Sequence, residues 1–341
     1  MNGRQRIEAA LRGEWADRVP VMLHNFMMAA DEAGLSMRQF RQDPGAICRA
    51  MVQAVETYGY DGVVVDVDTA TLAAALGAVV DLPEELPARV TGPAMASLAA
   101  VADLQPPDLA ADRRVQVWLE AVRMLRRELG DEICIRGNCD QAPFSLASAV
   151  RGLDAWLLDL TGEDWRPQVE ALLDYCAGVG KQFVRLMAEA GAHMVSSGDS
   201  PAGPELISPR MYREFALPWE KALAAEAHSA GLPWLLHICG KTDRILADMV
   251  ESGADAFELD YKTDARLARR TLEERAAFVG NIDPSGVLAL GSPALVEEKT
   301  RALLQVFAGC PRFILNAGCA IPARTPPENV LAMIRTARAF G

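Results

Sequence analysis

The chain has 341 residues, 50% of them hydrophobic and 23% charged, with 46 acidic against 34 basic side chains and a net charge of −12. That length and apolar content exclude a disordered chain, and seven cysteines in so long a sequence exclude a disulfide-held scaffold. The acidic balance excludes duplex nucleic acid as a partner, and no run reaches the roughly 18 apolar residues of a membrane span.

The N-terminal MNGRQRIEAALRGEW has helical character and no apolar signal-peptide core, which predicts a cytoplasmic protein with reduced thiols. The first predicted strand is Val19–Leu23, ending at His24-Asn25, and a helical pattern follows over Met37–Tyr58. The second strand, Gly62–Val67, leads into Gly77–Asp112, a Pro-punctuated excursion of the length expected for a lid or a substrate-facing insertion. A helix over Arg114–Leu129 and a strand over Ile133–Gly137 come next, then two or three helices within Pro143–Gly191. Strands follow at His193–Ser197, Pro233–Ile238, Ala256–Leu259, Ala277–Gly280 and Arg312–Leu315. The intervening helices are Pro209–Ala230, Thr242–Ser252 and Pro293–Phe307, and Pro327–Phe340 closes the chain. The strands are continuous apolar runs, as expected of a parallel sheet covered on both faces. Eight of them alternating with helices predict an α/β fold: a single (β/α)8 TIM barrel over residues 1–341, with an N-terminal helix and a long excursion after the second strand. A doubly wound sheet would show a G-x-G-x-x-G turn after its first strand, and the sequence has none there.

Barrels of this kind carry their chemistry at the C-terminal ends of the strands. Those ends hold His24-Asn25, Asp66 and Asp68, Asn138 and Asp140, Asp199, His237 and Cys239, Glu258 and Asp260, Asn281 and Asp283, and Asn316 and Cys319. Asp and Asn also cap helices and make Asx turns, so each one alone has a structural reading. His237-Ile238-Cys239 is the sharpest signal, because residues two apart on a strand face the same side. With Cys319 at another strand end, these three suit a zinc ion with an open fourth position; buried packing of the same residues is the alternative. Cys48, Cys134, Cys176 and Cys310 read as packing, and Cys139, at a strand end, stays open. Phe26, Met27 and Met28 are candidates for an apolar rim.

HICGKT at 237–242, GADAFELD at 253–260, GNIDP at 280–284 and ILNAGCAIPARTPPENV at 314–330 resemble the uroporphyrinogen decarboxylase superfamily. Within it they are most similar to the methylcobamide:coenzyme M methyltransferases and related corrinoid-dependent enzymes. The N-terminal RIEAALRGEWADRVPV and the central GDSPAGPELISPRMYREFALPWEKAL carry the same resemblance. It implies Zn2+ on His237, Cys239 and Cys319, and methyl transfer between a methylcobalamin-type corrinoid and a thiol acceptor such as coenzyme M. It also implies a corrinoid-binding protein as partner. His24, Asn25, Asp199, Glu258 and Asn281 are the candidate substrate-binding residues, with Asp199 or Glu258 also able to fill the fourth metal position. The stretch LHNFMMAADEAG contains no Arg where the decarboxylase carries an Arg-rich clamp, which speaks against porphyrinogen decarboxylation. Open alternatives are a folate, homocysteine or methoxylated substrate, and a tetrapyrrole-binding protein without turnover.

Overall fold

The computed structural model describes residues 1–340. Its strands in chain order are β1 (Met22–Leu23), β2 (Gly62–Val65), β3 (Val79–Asp81), β4 (Arg89–Gly92), β5 (Cys134–Gln141) and β6 (Met194–Gly198). They continue with β7 (Trp234–Ile238), β8 (Ala256–Leu259), β9 (Ala277–Ile282) and β10 (Phe313–Ala317). Eight of them pair in the order β1-β2-β5-β6-β7-β8-β9-β10, and a parallel bridge from Val21 to Leu315 closes the barrel. The predicted TIM barrel is the observed one. β3 and β4 form a separate antiparallel hairpin inside the excursion, which the sequence pattern had left without structure.

Inside the barrel every second strand residue points to the axis. The lower inward positions are apolar: Met22, Val64, Cys134, Met194, Leu235, Ala256, Ala277, Val279 and Ile314 pack into one cluster with Ile7 and Ala10 of the N-terminal helix Gly3–Arg12. That helix plugs the bottom of the barrel, and a Cβ on Gly3 would stand 2.7 Å from the Asp61 carbonyl oxygen. Two residues further along the strands, the same face turns polar: His24, Asp66, Arg136, Ser196, His237, Glu258, Asn281 and Asn316. Outward residues such as Val63, Val65, Phe257 and Phe278 pack against the helical layer.

Three expected helices are shorter or divided. Met37–Tyr58 is two helices, Met37–Phe40 and Pro44–Tyr58, because Pro44 has no N–H to continue the first and Asp43 caps the second. Pro209–Ala230 breaks at Ala216, ahead of Pro218, into Pro209–Phe215 and Leu217–Ser229. Of Thr242–Ser252 only Leu246–Val250 is helical, since the Thr242 hydroxyl is hydrogen-bonded to Thr263. The first strand is also shorter than Val19–Leu23, because Pro20 lacks a ladder donor. The Pro143–Gly191 region holds the helices Pro143–Arg151, Leu153–Asp159 and Arg166–Ala190. Among the described residues no helix is long and apolar enough to cross a membrane.

Candidate metal centre and active site

His237 is the penultimate residue of β7, and the chain turns at Cys239 so that both side chains meet above the strand. Cys319 reaches the same point from the loop after β10. His237 Nε2 lies 3.0 Å from Cys239 Sγ and 3.9 Å from Cys319 Sγ, and the two sulfurs are 3.6 Å apart. A tetrahedral zinc with Zn–S of ~2.3 Å and Zn–N of ~2.1 Å sets its sulfurs about 3.8 Å apart and nitrogen to sulfur about 3.6 Å. The donor set therefore fits a zinc ion with small adjustments. His237 Nδ1 donates to the Glu258 backbone carbonyl at 3.0 Å, which leaves Nε2 as the ring nitrogen that faces the two sulfurs and is available to a metal. The Cys239 N–H donates to Ser200 Oγ at 3.1 Å and so holds the turn in place.

Without metal, the three groups share protons. The hydrogen bond from Cys319 and the charge of His237 pull the Cys239 thiol down to about 3, against the opposing effect of burial. The Cys319 thiol is raised by the same hydrogen bond and by burial. Burial alone would lower His237, but the Cys239 thiolate raises it to about 9. A thiolate is thus already favoured here at neutral pH, the protonation state that a metal ligand requires.

Beside this cluster lies a cavity of about 300 Å³ at the C-terminal face of the barrel. His24, Asp66, Arg136, Ser200, His237, Cys239 and Cys319 form its polar wall, and Phe26, Met27, Pro87 and Ala320 are the apolar contributors. Its floor is a buried charge network. His24 Nδ1 is 3.1 Å from Glu258 Oε1, and its Nε2 is 2.7 Å from Asp66 Oδ2. Arg136 Nη1 donates to the other Glu258 oxygen, and its Nε donates to Ser196 Oγ at 2.8 Å. Burial opposes charge on His24, but Glu258 and Asp66 outweigh it and raise the imidazole to about 9. Glu258 is held well below the usual carboxylate range: burial would raise it, and Arg136 and His24 more than offset that. Two cations and two anions balance in one buried layer.

The five predicted substrate-side residues divide. His24 lines the cavity. Glu258 is fully buried beneath it, its carboxylate bonded to His24 and Arg136 and its backbone carbonyl to His237. The other three turn elsewhere. Asn25 faces Tyr60, its Nδ2 3.4 Å from the phenol oxygen. Asp199 Oδ1 accepts the Ser145 N–H and hydroxyl, at 2.7 Å and 2.6 Å, and so ties β6 to the helix Pro143–Arg151. Asn281 Nδ2 donates to the carbonyls of Asp260 and Thr263. The apolar rim holds for Phe26 and Met27, whereas Met28 is fully buried in the core. Cys139 is also buried in the core, and its thiol is pushed up by burial. Arg136 was missed by the sequence reading. An arginine inside the apolar run CIRG was the available signal, since a charge on a covered strand faces either a partner or a site.

The profile of the uroporphyrinogen decarboxylase (URO-D) family matches residues 2–340. The "Methylcobamide:CoM methyltransferase MtbA" of Methanosarcina mazei is 36% identical over 228 residues, covering 67% of this chain and 64% of that protein's length. The "Methylcobamide:CoM methyltransferase MtaA" of Methanosarcina barkeri is 27% identical over 338 residues, covering 96% of this chain and 95% of the relative. A solved structure described as a methyltransferase from Methanosarcina mazei superimposes with a TM-score of 0.90 at 25% identity, over 100% of this chain and 99% of that one.

Proposed function

The chain belongs to the uroporphyrinogen decarboxylase family, and from that premise we propose that it is a zinc-dependent methyltransferase acting between a methylated corrinoid and a thiol. The observation that carries this reading is the meeting of His237, Cys239 and Cys319 at the wall of a cavity that opens on the C-terminal face. Relatives named for methylcobamide and coenzyme M along most of the chain support the same chemistry.

The bound groups would supply a thiol made acidic at zinc and a methyl group on the corrinoid's cobalt. His237, Cys239 and Cys319 would hold the metal and leave its fourth side to the acceptor sulfur. The Glu258 carbonyl fixes the His237 tautomer, and Ser200 fixes the Cys239 turn. His24 and Arg136 keep Glu258 ionised and fully hydrogen-bonded beneath the site, so its charge does not roam among conformers. Phe26, Met27 and Pro87 exclude water from the approach of the two reactants. A corrinoid-binding protein docking on the same face is the expected partner. Two thiols 3.6 Å apart must stay reduced to serve as ligands, which fits the cytoplasm.

Decarboxylation of an acidic porphyrinogen is disfavoured by the lining. Asp66, Asp68 and Asp140 face the cavity, and Arg136, its only arginine, is already engaged by Glu258. The deciding experiment is zinc stoichiometry on the purified protein beside Cys319→Ala. About one zinc per chain is expected in the wild type, with most of it lost in the variant together with methylcobalamin-dependent thiol methylation. A wild type that takes up no zinc, or a Cys319→Ala protein with full metal and activity, would refute the assignment.

A further inference from the structure

A second cavity, of about 380 Å³, lies beside the catalytic one and shares Asp68 with it. It is walled by Arg41, Arg113, Arg114, Thr71 and an apolar rim that includes Val67 and Leu82. Arg41 is only 8% exposed. It donates from Nη1 to the Leu86 carbonyl at 2.8 Å and from Nη2 to the Pro83 carbonyl, while its buried Nε has no partner. Neither acceptor carries a formal charge, so the buried guanidinium is not neutralised by them. Arg113 and Arg114 open the helix Arg113–Leu129, capped by Asp112, and their side chains find no partner among the described residues. Cations in a helix's first turn oppose its dipole, and here the offsetting acid is the N-cap Asp112, whose Oδ1 accepts the Arg114 and Val115 N–H groups at 2.8 Å and 3.1 Å. Asp68 is the single acid of the groove, and its Oδ1 is already bonded to the Ala70 N–H and the Thr71 hydroxyl. In a chain of net charge −12, three arginines converge on one concave surface against two acids, Asp68 and the capping Asp112.

We propose that this groove binds a phosphate ester: the guanidinium groups of Arg41, Arg113 and Arg114 hold the phosphoryl oxygens, and the apolar rim of Val67 and Leu82 takes the ester's organic group. Arginine forks match phosphoryl oxygens in geometry and sign. The apolar rim favours an ester over a bare ion. The groove lies on the C-terminal face because the helix it involves begins there, next to the cavity that must receive the corrinoid. Two sources can present such an ester at that place: the phosphodiester of the corrinoid's own nucleotide tail, or a soluble phosphorylated metabolite. The first source rests on the methyltransferase reading, and the second does not.

The test is binding, measured without turnover. Ribose 5-phosphate and inorganic phosphate are titrated calorimetrically into the wild type and into an Arg113→Ala/Arg114→Ala double variant. Cobalamin and cobinamide, which lacks the nucleotide tail and its phosphodiester, are then compared on both proteins by absorbance. The expected result is ribose 5-phosphate binding tighter than inorganic phosphate, weakened at least tenfold in the variant and by added salt. A preference for cobalamin over cobinamide that disappears in the variant names the corrinoid tail as the source; ester binding without that preference names a soluble ester. The variant should melt no lower than the wild type, because it removes cations from a helix N-terminus; a merely structural role would lower it. Ester binding and cobalamin preference both unchanged by the substitutions would overturn the proposal. Failure of both corrinoids to bind would instead count against the methyltransferase reading, and the ribose 5-phosphate titration would still decide the groove.

Discussion

At the scale of single residues, the site is governed by how buried charges are paired. His24 bridges Asp66 and Glu258, and its pKa of about 9 against an ordinary 6.5 means that the folded state binds this proton more tightly than the unfolded one. The resulting stability is fully present below about pH 6.5 and is lost as the pH rises through 9, an effect on the order of 3 kcal/mol for a shift of this size. Urea denaturation between pH 6 and pH 10 should therefore show an alkaline loss of stability in the wild type that His24→Gln flattens. Equal slopes in both proteins would mean that His24 is neutral in the fold. Zinc content should survive the His24 substitution, because the ring hydrogen-bonds Glu258 and Asp66 and none of the three side chains proposed to hold the metal.

At the scale of elements, prolines decide where helices stop and caps decide where they restart. The break between Met37–Phe40 and Pro44–Tyr58 lets Arg41 turn inward to hold the loop 82–88, and that loop brings Pro87 to the cavity beside His237 and Cys239. The Ser36 hydroxyl also bonds Glu84, and the Arg38 N–H bonds the Glu84 carbonyl. The excursion is thus a strapped flap and contributes a wall to the site. Asp43 accepts the Gly45 N–H at 2.8 Å as the N-cap of Pro44–Tyr58. Asp43→Ala should cost about 1 kcal/mol in urea denaturation with the slope of the transition unchanged. No loss would show that the helix start is held by packing alone.

At the scale of the whole molecule, the barrel is a tube with an apolar lower half and a polar upper half, plugged from below. Ile7 is fully buried and joins the N-terminal helix to the inward cluster of Met22, Val64, Leu235 and Ile314. Ile7→Ala should cost about 3 kcal/mol by opening a cavity that the rigid barrel cannot collapse around. It should leave zinc stoichiometry intact, since the plug and the His237, Cys239 and Cys319 cluster occupy opposite ends. Loss of metal in that variant would mean that the two ends are coupled through the strands.

The alternation of apolar runs and amphipathic helices determined the barrel, because period and strand count are local properties of the chain. The polar strand ends were legible for the same reason: inward positions recur every second residue, so Leu235, His237 and Cys239 share a face whatever surrounds them. What only the tertiary structure decided is which of those polar residues meet. Cys239 and Cys319 are 80 positions apart, Arg136 and Glu258 122, and His24 and Glu258 234, and they touch because the barrel closes on itself. The same closure sends Asn25 and Asp199 to neighbouring backbone and side chains, since a strand-end residue one step off the inward register faces the helices. Asn281 is in register, but the Asp260 and Thr263 carbonyls lie within reach of its amide and claim it. Periodicity encodes the side to which a residue points, whereas the partner it finds there depends on how distant strands align when the sheet closes.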